Sequence, residues 1–180
     1  MMKSVLINAS PRNEGNSSFV IDSLKEAFSG DVKTIRVNEL NFSGCQGCKK
    51  CRQLDDFCVL NDDMNSLYAD LTDADIITVV SPNYYGFITG QLKLFMDRWY
   101  CMKDKRGITR FKENAKVFFV LTQGSPDRNH GETANKWMKR VSEAFGMKFF
   151  SYIIPGCNAD TRDMVKMKIS DIKMHLKMIQ

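Results

Sequence analysis

Apolar residues along the chain fall alternately into short continuous runs and into stripes at helical spacing. The first run, centred on Val5-Leu6-Ile7 within residues 3–8, predicts a buried strand, and a polar turn follows from Ser10 to Ser18. Phe19, Val20, Leu24, Ala27 and Phe28 then recur at helical spacing, and Gly30 is expected to close that helix. Residues 32–37 predict a second strand. Asp62-Asp63 supplies a cap and favourable charge for a helix whose stripe is Met64, Leu67, Tyr68, Leu71 and Ala74. Residues 76–80 are the densest β-branched run and predict a central parallel strand buried on both faces. Leu92, Phe95, Met96 and Trp99 mark the next helix, and residues 117–121 a fourth strand. Ala134, Trp137, Met138, Val141 and Phe145 form a helical stripe closed by Gly146. Residues 149–154 predict a fifth strand, and Val165, Ile169, Ile172, Leu176 and Ile179 a last helix.

Five strands alternating with five helices predict an α/β class fold, one doubly wound domain over residues 1–180 with a parallel sheet and helices on both faces. In such sheets ligands bind beyond the carboxyl ends of the strands, where the strand order reverses. Three turns therefore carry the functional question: those after Asn8, after Val80 and after Leu121.

Composition narrows the class. Of 180 residues, 43% are hydrophobic and 26% charged, the balance of an ordinary globule. No apolar run approaches the roughly 20 residues that cross a bilayer, and the N-terminal run is too short for a signal-peptide core, so no membrane association and a cytoplasmic location are expected. The net charge of +5 is concentrated around Lys103, Lys105, Arg106, Arg110, Lys112 and Lys116 and in the last helix. Without interleaved aromatics or a docking motif it predicts a solvated basic surface and no nucleic-acid partner. The six cysteines are expected to be reduced thiols, with Cys101 and Cys157 as small buried hydrophobes.

The turn after the first strand is rich in hydroxyls and amides. A helix start presents free N–H groups and a partial positive charge, which suits a phosphate dianion. Ser10, Asn16, Ser17 and Ser18 are candidate hydrogen-bonding groups there, and Arg12 a candidate charge. The same residues would also serve as plain turn and capping residues. The P-loop pattern G-x-x-x-x-G-K-[ST] and the dinucleotide pattern G-x-G-x-x-G do not occur at this turn. Asn8 and Ser81 stand where a phospho-receiver site needs carboxylates. What remains suits a terminal phosphate monoester, such as FMN carries.

Ser10-Pro11-Arg12 with Gly15-Asn16-Ser17 resembles the G-S-P-R-x-x-G-N-[ST] opening of the flavodoxin-like NAD(P)H-dependent FMN reductases. Ser81-Pro82-x-Tyr84, followed by Gln91-Leu92-Lys93 and Asp97-Arg98, resembles that family's second signature, and Cys45, Cys48, Cys51 and Cys58 with Asp62-Asp63-Met64 resemble a cysteine-bearing branch that includes iron–sulfur flavoproteins. The match runs from residue 3 to about residue 100. Ala9 departs from the usual glycine and Asn83 from a usual apolar residue. The resemblance implies a five-stranded sheet of order 2-1-3-4-5, bound FMN, NAD(P)H as co-substrate and self-association as a homodimer or homotetramer. It makes Asp97-Arg98 a family feature, expected to form an ion pair or dimer contact.

A flavin ring needs a flat apolar wall, for which Tyr84 and Tyr85 are candidates; Pro82 fixes the approach of the backbone, Asn83 is a candidate contact, and Gly86 permits a close pass. Gln123, Gly124 and Ser125 are expected to direct backbone N–H groups at the ring's polar edge. No side chain is expected to act as nucleophile or base, His130 and His175 included, because the flavin carries the chemistry.

Cys45, Cys48, Cys51 and Cys58 leave three readings open: ligands of a [4Fe–4S] cluster, metal-free thiols, or zinc ligands. Lys49, Lys50 and Arg52 are expected to offset cluster charge or to lower the thiol pKa values. The functional expectation is an oxidoreductase passing hydride from NAD(P)H to FMN and on to a flavin, quinone or other small acceptor. The alternative is an iron–sulfur flavoprotein electron carrier serving a protein redox partner, and a more remote one is a nucleotide-sensing module without turnover.

Overall fold

The computed structural model describes residues 1–158 and 160–180. Its strands are β1 (Lys3–Asn8), β2 (Asp31–Arg36), β3 (Ile76–Pro82), β4 (Lys116–Thr122) and β5 (Lys148–Ile154). Its α-helices are α1 (Asn16–Lys25), α2 (Lys50–Gln53), α3 (Tyr68–Asp73), α4 (Gly90–Asp97), α5 (Glu132–Ala144) and α6 (Asp163–Ile179). All five strands are parallel, in the order β2-β1-β3-β4-β5, as expected. The chain leaves β1 toward one edge and returns to β3 on its other side, so the order reverses between them. The register pairs Asn8 with Val80 and Pro82 with Thr122, which brings the ends of β1, β3 and β4 to one rim of the sheet.

Alternation along the strands feeds two cores. Leu6, Val80, Phe118 and Val120 face Val20, Ile21 and Leu24 of α1 and Val165, Ile172 and Leu176 of α6. Ile7, Ile77, Val79, Phe119 and Leu121 face the other way, toward Tyr68, Leu92, Phe95, Trp99 and Met138. β3 is covered on both faces from Ile76 to Ser81, which is why it carries no polar alternation. No helix among the described residues is long and apolar enough to cross a membrane.

The differences from the sequence reading are local. α1 ends at Lys25, and Gly30 does not close it. Gly30 instead begins the entry to β2 at φ +131°, where a Cβ would lie 2.4 Å from the Met2 carbonyl oxygen. The stripe from Met64 to Ala74 divides into a 3₁₀ turn, Asp63–Leu67, and the short α3, with Asp62 capping the turn through Met64 N at 3.2 Å. α2, inside the cysteine loop, has no apolar stripe to announce it and starts from Lys49 in the left-handed region at φ 57°. Gly146 does follow α5 at positive φ, as its place after the stripe predicted. Cys101 is buried as expected, whereas Cys157 is only half-buried. Met167, Met174 and Met178 lie exposed on α6.

Candidate functional site

The turn after β1 is wired from within. Asn8, essentially buried, donates through Nδ2 to Ser18 Oγ (3.1 Å) and accepts from Ser10 N (3.0 Å). Ser10 Oγ accepts from Arg12 N (3.1 Å), and Ser18 Oγ donates to the Arg12 carbonyl (3.2 Å). These bonds set the turn so that α1 begins after an extended Gly15 with no side chain capping it, leaving its first N–H groups for another acceptor. Ala9 fits where the family motif has glycine: its N–H donates to the Val80 carbonyl (2.9 Å), and its carbonyl accepts from Thr89 Oγ1 (2.9 Å) at the start of α4.

After β3, Asn83 N donates to the Thr122 carbonyl (2.7 Å), and Tyr84 and Phe87 exchange backbone bonds of 2.8 and 3.0 Å. Between them Tyr85 (φ 53°) and Gly86 (φ 79°) form a tight turn of the kind that needs two positive φ angles. Tyr85 therefore stands fully exposed at its tip, and the Phe87 ring anchors the turn edge-on to Trp137 at 5.2 Å.

After β4, Gln123 is 2% exposed and serves as a brace. Its Nε2 donates to the Ser125 (3.1 Å) and Asp127 (2.6 Å) carbonyls, and its Oε1 accepts from Asn83 Nδ2 (3.2 Å), which also donates to the His130 carbonyl (3.2 Å). The Gln123 backbone N–H is already spent on the Ile154 carbonyl (3.0 Å), so the expectation that it points at a ligand is corrected.

These turns enclose a cleft of about 200 Å³ at the point where the strand order reverses. Nine of the expected residues line it: Ser10, Arg12, Asn16 and Ser17 from the first turn, Pro82, Asn83 and Tyr84 from the second, Gln123 and Gly124 from the third. Ser18, Tyr85, Gly86 and Ser125 stand outside the lining: Ser18 and Ser125 brace their loops, and Tyr85-Gly86 form the turn beyond it. Gly15, Thr122 and Cys157 complete the wall. Thr122 Oγ1 and Ser17 Oγ are 3.0 Å apart, tying the first and third turns together. Thr122 directly precedes the expected Gln123, and Cys157 follows β5 by three residues, so the strand-end rule applied to β4 and β5 in full would have found both. None of the described lining residues is a carboxylate, so Arg12 and the uncapped N–H groups of α1 suit an anion, whereas the buried, unpartnered Asn16 Oδ1 and Asn83 Oδ1 are acceptors that suit a ligand's N–H or O–H groups.

The cysteine loop lies elsewhere, against the end of α4. Cys45, Cys48, Cys51 and Cys58 line one narrow pocket with Cys101, Arg98 and Tyr100. Cys51 is buried, Cys58 half-buried, and Cys45 and Cys48 exposed. Among the described residues no three or more His, Cys, Asp or Glu side chains converge as a group that could hold a metal ion. The basic neighbours do not lower the Cys51 pKa as expected. Burial, with Cys58 alongside, pushes it up in spite of Arg52, whose guanidinium lies over the Tyr100 ring at 4.7 Å and bonds the Asp104 carbonyl. Burial likewise pushes the Cys101 thiol up to about 11. Arg98 forms the ion pair expected of it, with Asp62 at 2.6 Å, while Asp97 pairs on the surface with Lys93 at 2.6 Å. His130 gives the cleft only its carbonyl, to Asn83, and His175 packs edge-on to Tyr152 at 5.2 Å.

Residues 2–156 match the protein family described as NADPH-dependent FMN reductase. An iron-sulfur flavoprotein of Archaeoglobus fulgidus is 31% identical over 163 residues, which span 86% of this chain and 71% of that protein. The structure of an NAD(P)H:quinone oxidoreductase from Methanothermobacter marburgensis superposes with a TM-score of 0.77 at 16% identity, over 96% of this chain and 94% of that one. That of an FMN-dependent NADH-azoreductase from Bacillus anthracis, in complex with FMN, gives 0.73 at 14% identity, over 99% and 100%. At those identities the two structures establish a common fold.

Proposed function

The chain belongs to the NADPH-dependent FMN reductase family and is an oxidoreductase, and from this we propose that it holds FMN across the ends of β1, β3 and β4 and reduces a small acceptor, a flavin or a quinone, at the expense of NAD(P)H. The observation that carries the reading is the carboxylate-free cleft at the strand-order reversal, onto which the uncapped start of α1 opens. The free N–H groups of α1, with Ser10, Asn16, Ser17 and Arg12, would hold the phosphate. Tyr84 would wall the ring, and Pro82 and the Asn83–Gln123 pair would keep that wall rigid. FMN, when bound, supplies the hydride and electron transfer, so the protein's part is to orient and to shield. FMN-loaded protein mixed with NADH or NADPH and a quinone should oxidise the nicotinamide with many turnovers. Complete absence of turnover with quinone, flavin and dye acceptors would overturn the proposal.

The brace behind the cleft is testable separately. A Cβ on Gly131 would come within 2.6 Å of Gln123 Oε1 and 2.7 Å of Leu121 Cδ2, so Gly131→Ala should dislodge Gln123 from Asn83. FMN affinity is expected to fall about tenfold, ~1.4 kcal/mol, in a fluorescence titration; an unchanged affinity would separate the brace from ligand binding.

A second reading, an iron–sulfur flavoprotein passing electrons to a protein partner, is supported by the four cysteines sharing one pocket and by the Archaeoglobus relative. Anaerobically purified protein should then contain iron and acid-labile sulfide in equal amounts, and protein free of both would overturn this reading.

A further inference from the structure

Arg98 is a buried cation, 1% exposed, and among the described residues every hydrogen bond of its guanidinium goes to the base of the cysteine loop. Its Nη1 donates to the Ser43 carbonyl (2.8 Å) and to Asp62 Oδ2 (2.6 Å), and its Nη2 to Asp62 Oδ1 (3.1 Å). Ser43 precedes Cys45 and Asp62 follows Cys58, so a single guanidinium grips both ends of residues 44–61. Asp62 closes the same junction from its own side by accepting from Ser43 N at 3.3 Å. The neighbouring rung, Asn41 N to Asp63 Oδ2 at 2.7 Å, is exposed to solvent.

We propose that Arg98 is the positioning residue of the cysteine pocket: it clasps both ends of the loop bearing Cys45, Cys48, Cys51 and Cys58 and so keeps these thiols in one pocket. The clasp rests on these contacts alone, whatever the thiols carry.

The test uses the full FMN-loaded chain. Hydrogen exchange across residues 44–61 should quicken at least tenfold more than exchange in the sheet in Arg98→Met, and by less in Arg98→Lys, which keeps the charge but not the fork, with FMN affinity unchanged. Should Arg98→Met fail to fold, Arg98→Lys carries the comparison. No change over 44–61, or an equal change everywhere, overturns the clasp.

Discussion

Asn16→Asp is expected to weaken FMN binding by about ten- to a hundredfold, ~1.4–2.7 kcal/mol, without destabilising the fold. Asn16 is the first residue of α1 and lines the cleft. The substitution changes no atom count but puts a carboxylate where the phosphate dianion is proposed to sit, and two such charges at contact distance repel strongly where water is scarce. The helix itself gains, since a negative charge in the first turn is worth about 0.3–1 kcal/mol. The lost bond from Nδ2 to the Asn158 carbonyl (2.7 Å) is exposed and weighs little. Titration with FMN and with riboflavin separates causes: only the phosphorylated ligand should lose affinity. Equal losses for both would mean that the variant distorts the cleft, and no loss for either would put the phosphate elsewhere.

Asp62→Asn carries the second large effect, a loss of about 3–5 kcal/mol of stability near neutral pH, because it leaves the Arg98 guanidinium buried without its counter-charge. Asparagine still caps the turn at residues 63–67, so the cap contributes little to the loss. The pH dependence identifies the pair. Burial alone would raise the Asp62 pKa, but the hydrogen bonds from Arg98 and from Ser43 N outweigh it and hold the carboxyl below its ordinary value. A carboxyl depressed in the folded state stabilises above its unfolded pKa of about 3.9, and that contribution is lost as pH falls through the folded value. The gap between wild type and variant in urea unfolding should therefore be full at neutral pH and shrink below about pH 4. A gap of the same size in acid would assign the loss to packing.

What could be read from the residues divides along the range of the interactions. β3 and β4 announce themselves because Ile76–Val80 and Val117–Leu121 are covered on both faces and need apolar side chains throughout. The cleft was legible for a related reason: the turn chemistry of Ser10–Ser17 and Pro82–Tyr84 is local, and the rule placing ligands beyond strand ends does the rest. The brace role of Gln123 was not legible, since it depends on carbonyls of Ser125, Asp127 and Ile154 that only the fold assembles. The position of Tyr85 was not legible: an aromatic beside Tyr84 suggests a wall, while the positive φ angles of residues 85 and 86 turn it to solvent. The Arg98–Asp62 clasp joins positions 36 apart and leaves no periodic trace. Basic residues around Cys51 suggested an acidic thiol, yet burial outweighs them once Arg52 is drawn over Tyr100.

The account depends on FMN seated where the turns after β1, β3 and β4 meet. Backbone amide NMR of the purified chain, followed as FMN is added, tests that most directly. The account predicts saturable shifts concentrated in Ser10–Ser18, in Asn83–Gly86 and in Gly124–Ser125, with the amides of residues 44–61 nearly still. Shifts centred on the cysteine loop, or a spectrum that FMN leaves unchanged, would contradict it.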